Sequence, residues 1–142
     1  MMLPPDQSWG AVVVDDEGRF LLVHHASGGH WDSPKGHAEP HETAVETALR
    51  EIREEGGVEA EIIAGFSERA DWILPDGREK QVVYFLARRL GPCESAKPGD
   101  EILALAWLPY EEARDLISYE SGKRVLDRAR EFLIRECQSA GG

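Results

Sequence analysis

The thirteen residues from Thr43 to Glu55 carry two helical patterns at once, and together these restrict what the rest of the chain can be. At about 100° per residue, Val45, Ala48, Leu49 and Ile52 fall in one arc and read as a core-facing stripe. Arg50, Glu51, Glu54 and Glu55 fall together on a second arc. Carboxylates spaced i, i+3 and i+4 repel one another by roughly 0.2–0.5 kcal/mol per pair, so the sequence gives up helix stability here. A divalent cation turns that repulsion into binding, because hard cations take oxygen ligands and a rigid helix presents several on one side. The ordinary alternative is a solvated acidic face with Arg50 and Arg53 forming pairs along it, and the helix alone leaves both readings open.

The flanking sequence supplies the partners such a helix needs. Trp9 to Val14 and Phe20 to His25 are apolar runs around the turn Asp15-Asp16-Glu17-Gly18 and predict a β-hairpin. Ala26 to His41 predicts a long loop rich in Gly, His, Ser and Pro, and loops of that length are often functional. Gly56-Gly57 stops the helix. Ala60 to Ile73 and Gln81 to Leu90 are strand-like around Pro75-Asp76-Gly77, and the second run is apolar on both faces, with Val82, Tyr84 and Leu86 opposite Val83, Phe85 and Ala87. Gly91 to Gly99 predicts a loop, Ile102 to Leu108 a strand, Glu111 to Ile117 a short helix, and Gly122 to Gln138 an amphipathic helix with Val125, Ala129, Phe132 and Leu133 on its stripe. This order gives an α+β or α/β layered architecture with a mixed sheet, and 142 residues fit one domain.

Charge narrows the partner. The chain carries 16 Lys and Arg against 27 Asp and Glu, a net −11 that argues against an extended nucleic-acid footprint. The segment from Gly36 to Glu61 alone holds eight Glu with only Arg50 and Arg53, so over half of the excess lies around the helix. Two cysteines, Cys93 and Cys137, are too few for a disulfide framework or a four-ligand zinc site. The N-terminus lacks a basic start followed by an apolar run, and no stretch approaches the ~18 apolar residues of a membrane span. The expected location is the cytosol. In the loop before the helix, Gly36 allows close backbone approach to a bound group and Lys35 sets a cation beside the acids.

Residues 36 to 58 read GHAEPHETAVETALREIREEGGV: Gly36, five residues, Glu42, seven residues, then Arg50-Glu51-Ile52-X-Glu54-Glu55-X-Gly57-Val58. This run resembles the signature of the Nudix hydrolases at all nine specified positions. The resemblance implies an α/β/α sandwich and Mg²⁺- or Mn²⁺-dependent hydrolysis of a nucleoside diphosphate linked to another group. It places Glu54 and Glu55 on the metal, with Lys35 and Glu101 beside it, and makes Glu51 a further ligand or the acceptor of the water proton. Arg50 then holds the glutamates in position, and Glu42 caps and orders the loop. Two residues depart from the family: His41 stands where glycine is common, which puts the loop conformation in question, and Gly56 fills a position usually held by a helix-favouring residue or Thr, which predicts fraying of the last turn.

Trp31-Asp32-Ser33-Pro34-Lys35-Gly36-His37 is similar to the W-x-x-P-K-G-H run of the asymmetrically cleaving diadenosine tetraphosphate hydrolases, and also to that of diphosphoinositol polyphosphate phosphohydrolases. Likeness to the former continues through Gly65-Phe66, Lys80 to Ala87, Glu101 and Trp107-Leu108. It implies that Lys35, His37 and Lys80 contact the phosphate chain, that Tyr84 places its hydroxyl on a phosphate, that Glu101 is an extra ligand or base, and that Tyr119 stacks on adenine. From the residues alone, Tyr84 reads equally as a core aromatic, Lys80 and Glu101 as surface groups, and Trp31 as a loop anchor or a stacking platform. His24, His25, His30 and His41 show no metal-ligand spacing.

The expected substrate is therefore a small dinucleoside polyphosphate or nucleotide, with diadenosine tetraphosphate cleaved to ATP and AMP. Rival chemistries are removal of pyrophosphate from an RNA 5′ end, hydrolysis of diphosphoinositol polyphosphates, and cleansing of damaged nucleoside triphosphates. A nucleotide sensor without catalysis is a different class of reading, disfavoured because the box glutamates are all present. A folded Glu54→Gln variant is expected to lose most Mg²⁺-dependent turnover; wild-type turnover in a steady-state assay contradicts the metal assignment.

Overall fold

The computed structural model describes residues 4–93 and 101–141. Seven strands form one sheet, and the sequence pattern explains its centre. β1 (Asp6–Val14) and β2 (Phe20–His25) are rich in branched and aromatic side chains, and β6 (Glu79–Pro92) runs parallel to β1 from Asp6↔Lys80 to Val14↔Arg88. β5 (Val58–Ile73) lies antiparallel on β6 and closes that side. β7 (Ile102–Leu108) pairs antiparallel with β2. The sheet is thus mixed, as expected.

Alternation along the central strands divides the interior into two cores. Val12, Val14, Phe20, Leu22, Val82, Tyr84 and Leu86 face α2 (Tyr110–Leu116) and α3 (Glu120–Gly141), meeting Ala113, Val125 and Ala129. Ala11, Val13, Leu21, Val23 and Ala87 face the other way, onto Ile52 of α1 (Ala44–Gly56). A strand covered on both faces is apolar on both, which is why β6 lacks the usual polar alternation. The result is the α/β/α sandwich, and no helix among the described residues is long and apolar enough to cross a membrane.

Several boundaries and contacts differ from the sequence reading for tertiary reasons. The β1–β2 hairpin closes at Val14↔Phe20, with Arg19 donating its N–H to Asp15 Oδ1, and the strands then separate. The loop after β2 contains two short strands, β3 (Trp31–Asp32) on β2 and β4 (Lys35–Gly36) on β1. β5 and β6 extend beyond their predicted ends because each supplies the other's ladder partners, so Gly91 and Pro92 belong to a strand rather than a loop. The remainder of the predicted loop, 94–99, lies outside the described residues.

Within α1 the expected core residue Val45 is 38% exposed, whereas Thr47 is fully buried. The Thr47 hydroxyl shares its one proton between Glu42 Oε1 and the Thr43 carbonyl, and a helix packed on a sheet at this rotation leaves Val45 beyond the contact. Thr43 and Glu46 form a reciprocal capping box at the helix start.

β4 approaches β1 closely enough that only glycine fits at position 10: a Cβ there would stand 2.2 Å from the Pro34 carbonyl oxygen. That contact is backbone and cannot swing aside. Gly10→Ala is expected to lower stability by about 1–3 kcal/mol, as overpacking does. Thermal melting checks it, and an unchanged Tm contradicts a fixed β1–β4 approach.

Candidate functional site

Arg50 is where the loop and helix meet. Its Nε donates to Glu42 Oε2 at 2.8 Å, Nη1 to Glu51 Oε1 at 2.8 Å and Glu54 Oε2 at 3.0 Å, and Nη2 to the His37 carbonyl at 2.8 Å and Glu42 Oε1 at 3.0 Å. A guanidinium offers five donors in a fixed fork, which is why one side chain can bind three carboxylates and a carbonyl. Glu42 is held at about 2, chiefly by the Arg50 hydrogen bonds, and also accepts the Glu39 N–H. It therefore stays ionised while it orders the loop.

Glu51 and Glu55 point the other way, into an open cleft of about 450 Å³. Lys35, His37, Arg50, Glu51, Glu55, Lys80 and Glu101 all line this cleft. Glu51 and Glu55 are 9% and 8% exposed. Burial pushes Glu51 up to about 7 despite Arg50, and Glu54 and Glu101 push in the same direction. Burial likewise pushes Glu55 up to about 8, although its Oε1 accepts the Lys35 N–H at 2.9 Å. Gly36 lets the loop reach this pair, since a Cβ there would stand 2.3 Å from Glu51 Oε1.

Lys80 is 7% exposed, with Nζ donating to Asp6 Oδ2 at 2.8 Å and Ser8 Oγ at 2.6 Å. His37 Nε2 lies 2.6 Å from Asp6 Oδ1.

Three expected site residues lie outside the cleft lining. Glu54 is tied to Arg50, and its side chain is 56% exposed. Tyr84 is 1% exposed and donates its hydroxyl to the buried Asp32, so sheet packing holds it beneath the site. Tyr119 lines a second cavity of about 620 Å³ with His30, Trp72 and Ile73; Ser27 lines both cavities. There Trp72 and Tyr119 stack with centroids 6.2 Å apart and planes 25° from parallel, and Lys35 Nζ stands 5.9 Å from the Trp72 ring. Trp31 anchors the loop: its N–H donates to Ser118 Oγ, its carbonyl accepts the Ser118 N–H, and its ring stacks on His24.

The sequence reading missed Trp72, Asp32 and Asp6. Trp72 sits within a strand pattern, and its neighbour Tyr119 comes from the start of another element; no local spacing links them.

Comparison with known proteins decides the family, since a model described as the NUDIX domain matches residues 4–129. The chain belongs to the Nudix family. Bis(5′-nucleosyl)-tetraphosphatase [asymmetrical] of Mus musculus is 38% identical over 118 residues, covering 80% of this chain and 80% of its own. A protein of Mycobacterium tuberculosis (strain CDC 1551 / Oshkosh) named as a mutator protein, MutT4, is 35% identical over an alignment of 142 positions that covers 97% of this chain and 53% of that one, so this chain spans about half the length of that relative. The structure of a C. elegans Ap4A hydrolase binary complex superposes with TM-score 0.77 at 26% identity, over 91% of this chain and 98% of the other.

As a Nudix hydrolase the chain belongs among enzymes that act on phosphoric anhydride bonds and generally use divalent metal ions. Among the described residues no three His, Cys, Asp or Glu side chains are gathered tightly enough to form a closed ligand set. The donor chemistry nevertheless fits a hard cation. Glu51 and Glu55 are buried oxygen donors whose carboxyls are raised first by desolvation and then by like charge, from Glu54 and Glu101 on Glu51 and from Glu51 and Asp32 on Glu55, and Gly36 leaves the space against Glu51 clear.

The two Nudix departures have physical accounts. His41 adopts φ 68°, the left-handed conformation glycine takes without strain, so the loop keeps its path at a cost of about 1 kcal/mol or more. Gly56 does not fray the helix. The helix runs through it to Gly57 at φ 69°, whose N–H caps the Arg53 carbonyl, and a Cβ on Gly56 would stand 2.6 Å from Leu21 Cδ2.

Raised carboxyl values in the fold mean that the folded protein binds more protons than the unfolded chain, whose glutamates ionise near 4.5. Stability from these groups is present at low pH and is lost as pH rises through about 7 and about 8. His25, held neutral by burial down to about 3, acts oppositely, as pH falls below its unfolded value of 6.5. Thermal melts in EDTA are expected to show Tm falling from about pH 7 to about pH 8. Adding Mg²⁺ should flatten that slope, and a metal-independent slope contradicts cation binding at Glu51 and Glu55.

Proposed function

We propose that this Nudix hydrolase cleaves dinucleoside polyphosphates, with diadenosine tetraphosphate giving ATP and AMP. The observation that carries this reading is the juxtaposition of two cavities: one lined by carboxylates and cations, the other by a stacked Trp72–Tyr119 pair, with Lys35 and Ser27 at their junction. A substrate with an aromatic base at one end and a crowded polyphosphate at the other matches both. The likeness to the mouse bis(5′-nucleosyl)-tetraphosphatase and to the C. elegans Ap4A hydrolase supports the same substrate class.

In this reading Glu51, Glu55 and Glu101, which line the cleft, would hold Mg²⁺ or Mn²⁺ with Lys35 beside them, and Glu54 would join them by turning inward from Arg50. The cation supplies charge neutralisation on the phosphate oxygens and lowers the pKa of a water. Arg50 fixes Glu51 and Glu54, and Glu51 or Glu101 accepts the water proton. As the water oxygen bonds to one phosphorus, the bridging P–O bond opposite it breaks and its electron pair leaves with the departing phosphate. Lys35, His37 and Lys80 offset the charge that builds up there. Tyr119 and Trp72 clamp the adenine, a stacking arrangement worth about 1–3 kcal/mol per base. Tyr84 acts from below, holding Asp32 and the β3 end of the loop. The substrate is a small molecule and the expected compartment is the cytosol.

Purified protein with Mg²⁺ is to be tested on dinucleoside polyphosphates, triphosphorylated RNA, inositol pyrophosphates and nucleoside triphosphates, with products resolved by chromatography. ATP plus AMP from diadenosine tetraphosphate is the expected result, with Trp72→Ala raising KM about tenfold or more by loss of stacking. Two ADP, or turnover confined to another substrate, contradicts it.

A further inference from the structure

Asp6 belongs to no part of the box and does not line the cleft, yet it touches two of the cleft's side chains, Lys80 and His37. Two strand pairings put it there. In the parallel β1–β6 ladder Asp6 and Lys80 are direct partners, so their side chains leave the same face of the sheet side by side. In the antiparallel β1–β4 pair Gly36 is fixed opposite Trp9, which brings the next residue, His37, back to the start of β1.

Each carboxylate oxygen then takes one partner: Oδ1 lies 2.6 Å from His37 Nε2 and Oδ2 2.8 Å from Lys80 Nζ. Ser8, two residues along the same strand, accepts a second Lys80 proton at 2.6 Å. A lysine ammonium has three donors, so Asp6 and Ser8 take two and leave one for the cleft that Lys80 lines.

We propose that Asp6 is a positioning residue that aims Lys80 and His37 at the phosphate chain of the substrate, an inference that rests on the reading of the cleft as a polyphosphate site. Lysine is a flexible point charge on a four-carbon stem, and its entropy opposes a fixed aim. A carboxylate set by the β1 backbone removes that freedom before substrate arrives. It also supplies the charge partner that a lysine needs to remain ionised when almost buried. The opposite role, a carboxylate that competes with phosphate for Lys80 and His37, predicts the reverse change in affinity.

The test is calorimetric binding of inorganic tripolyphosphate with Mg²⁺, together with KM and kcat for whichever dinucleoside polyphosphate the wild type turns over. The proteins are wild type, Asp6→Asn, Asp6→Ser, Asp6→Glu and Lys80→Gln, each checked by thermal melting. Loss of a charge-assisted bond is expected to raise both the tripolyphosphate Kd and KM about tenfold in Asp6→Asn and Asp6→Ser. In those variants kcat falls as well, because Lys80 and His37 offset charge that builds up during the step, and Asp6→Glu recovers part of the affinity.

A change in Tm with unaltered Kd and KM overturns the inference in favour of a purely structural role, and tighter binding overturns it in favour of competition. If Lys80→Gln weakens binding and the Asp6 variants do not, the Asp6 role alone is wrong. If wild type binds no tripolyphosphate, or Lys80→Gln leaves binding unchanged, the polyphosphate reading of the cleft falls with it.

Discussion

The site depends on one guanidinium standing between ionised and desolvated carboxylates. Arg50 holds Glu42 fully ionised on the loop side and Glu51 on the cleft side, and it spans the two through the His37 carbonyl. Without that cation the loop has no charge to close against, and Glu51 has only burial and like-charged neighbours. The arrangement resists its own electrostatics: Arg50 lowers Glu51, yet desolvation still wins and the group sits near 7. A fold that accepts this cost in the absence of metal keeps a position ready for positive charge.

The sheet gives that tension a rigid setting. α1 is pinned by Ile52 against the β1–β2 face, and Gly56 lets it lie directly on Leu21. On the opposite side β4 reaches β1 only because residue 10 is glycine. Glu55 accepts the Lys35 N–H across the gap between these two elements. The cleft is therefore a seam between a helix fixed by one core and a loop fixed by β1, bridged by the Glu55 carboxylate.

The box was legible in the sequence because its chemistry is local. Spacing along one helix places Arg50, Glu51, Glu54 and Glu55 on one arc wherever the helix lies, and the Thr43–Glu46 cap and Gly57 terminate it by short-range hydrogen bonds. Lys35 and His37 were legible for a similar reason, being joined to the helix by a short loop. Which of these acids turns inward was not legible. Glu51 and Glu55 face the cleft and Glu54 faces out because of how α1 rolls against β1 and β5, and the same roll exposes Val45 and buries Thr47.

The sequence by itself determined the doubly apolar central strand, the acidic helix and the cation-bearing loop, since each is written in periodicity or spacing within a few residues. Only the tertiary structure decided what stands beside them. Tyr84 faces Asp32 across fifty-two positions of chain, Trp72 meets Tyr119, and Asp6 meets Lys80 and His37. These contacts come from a parallel ladder and a crossing loop, and pairing at long range depends on register between strands, which no local pattern encodes.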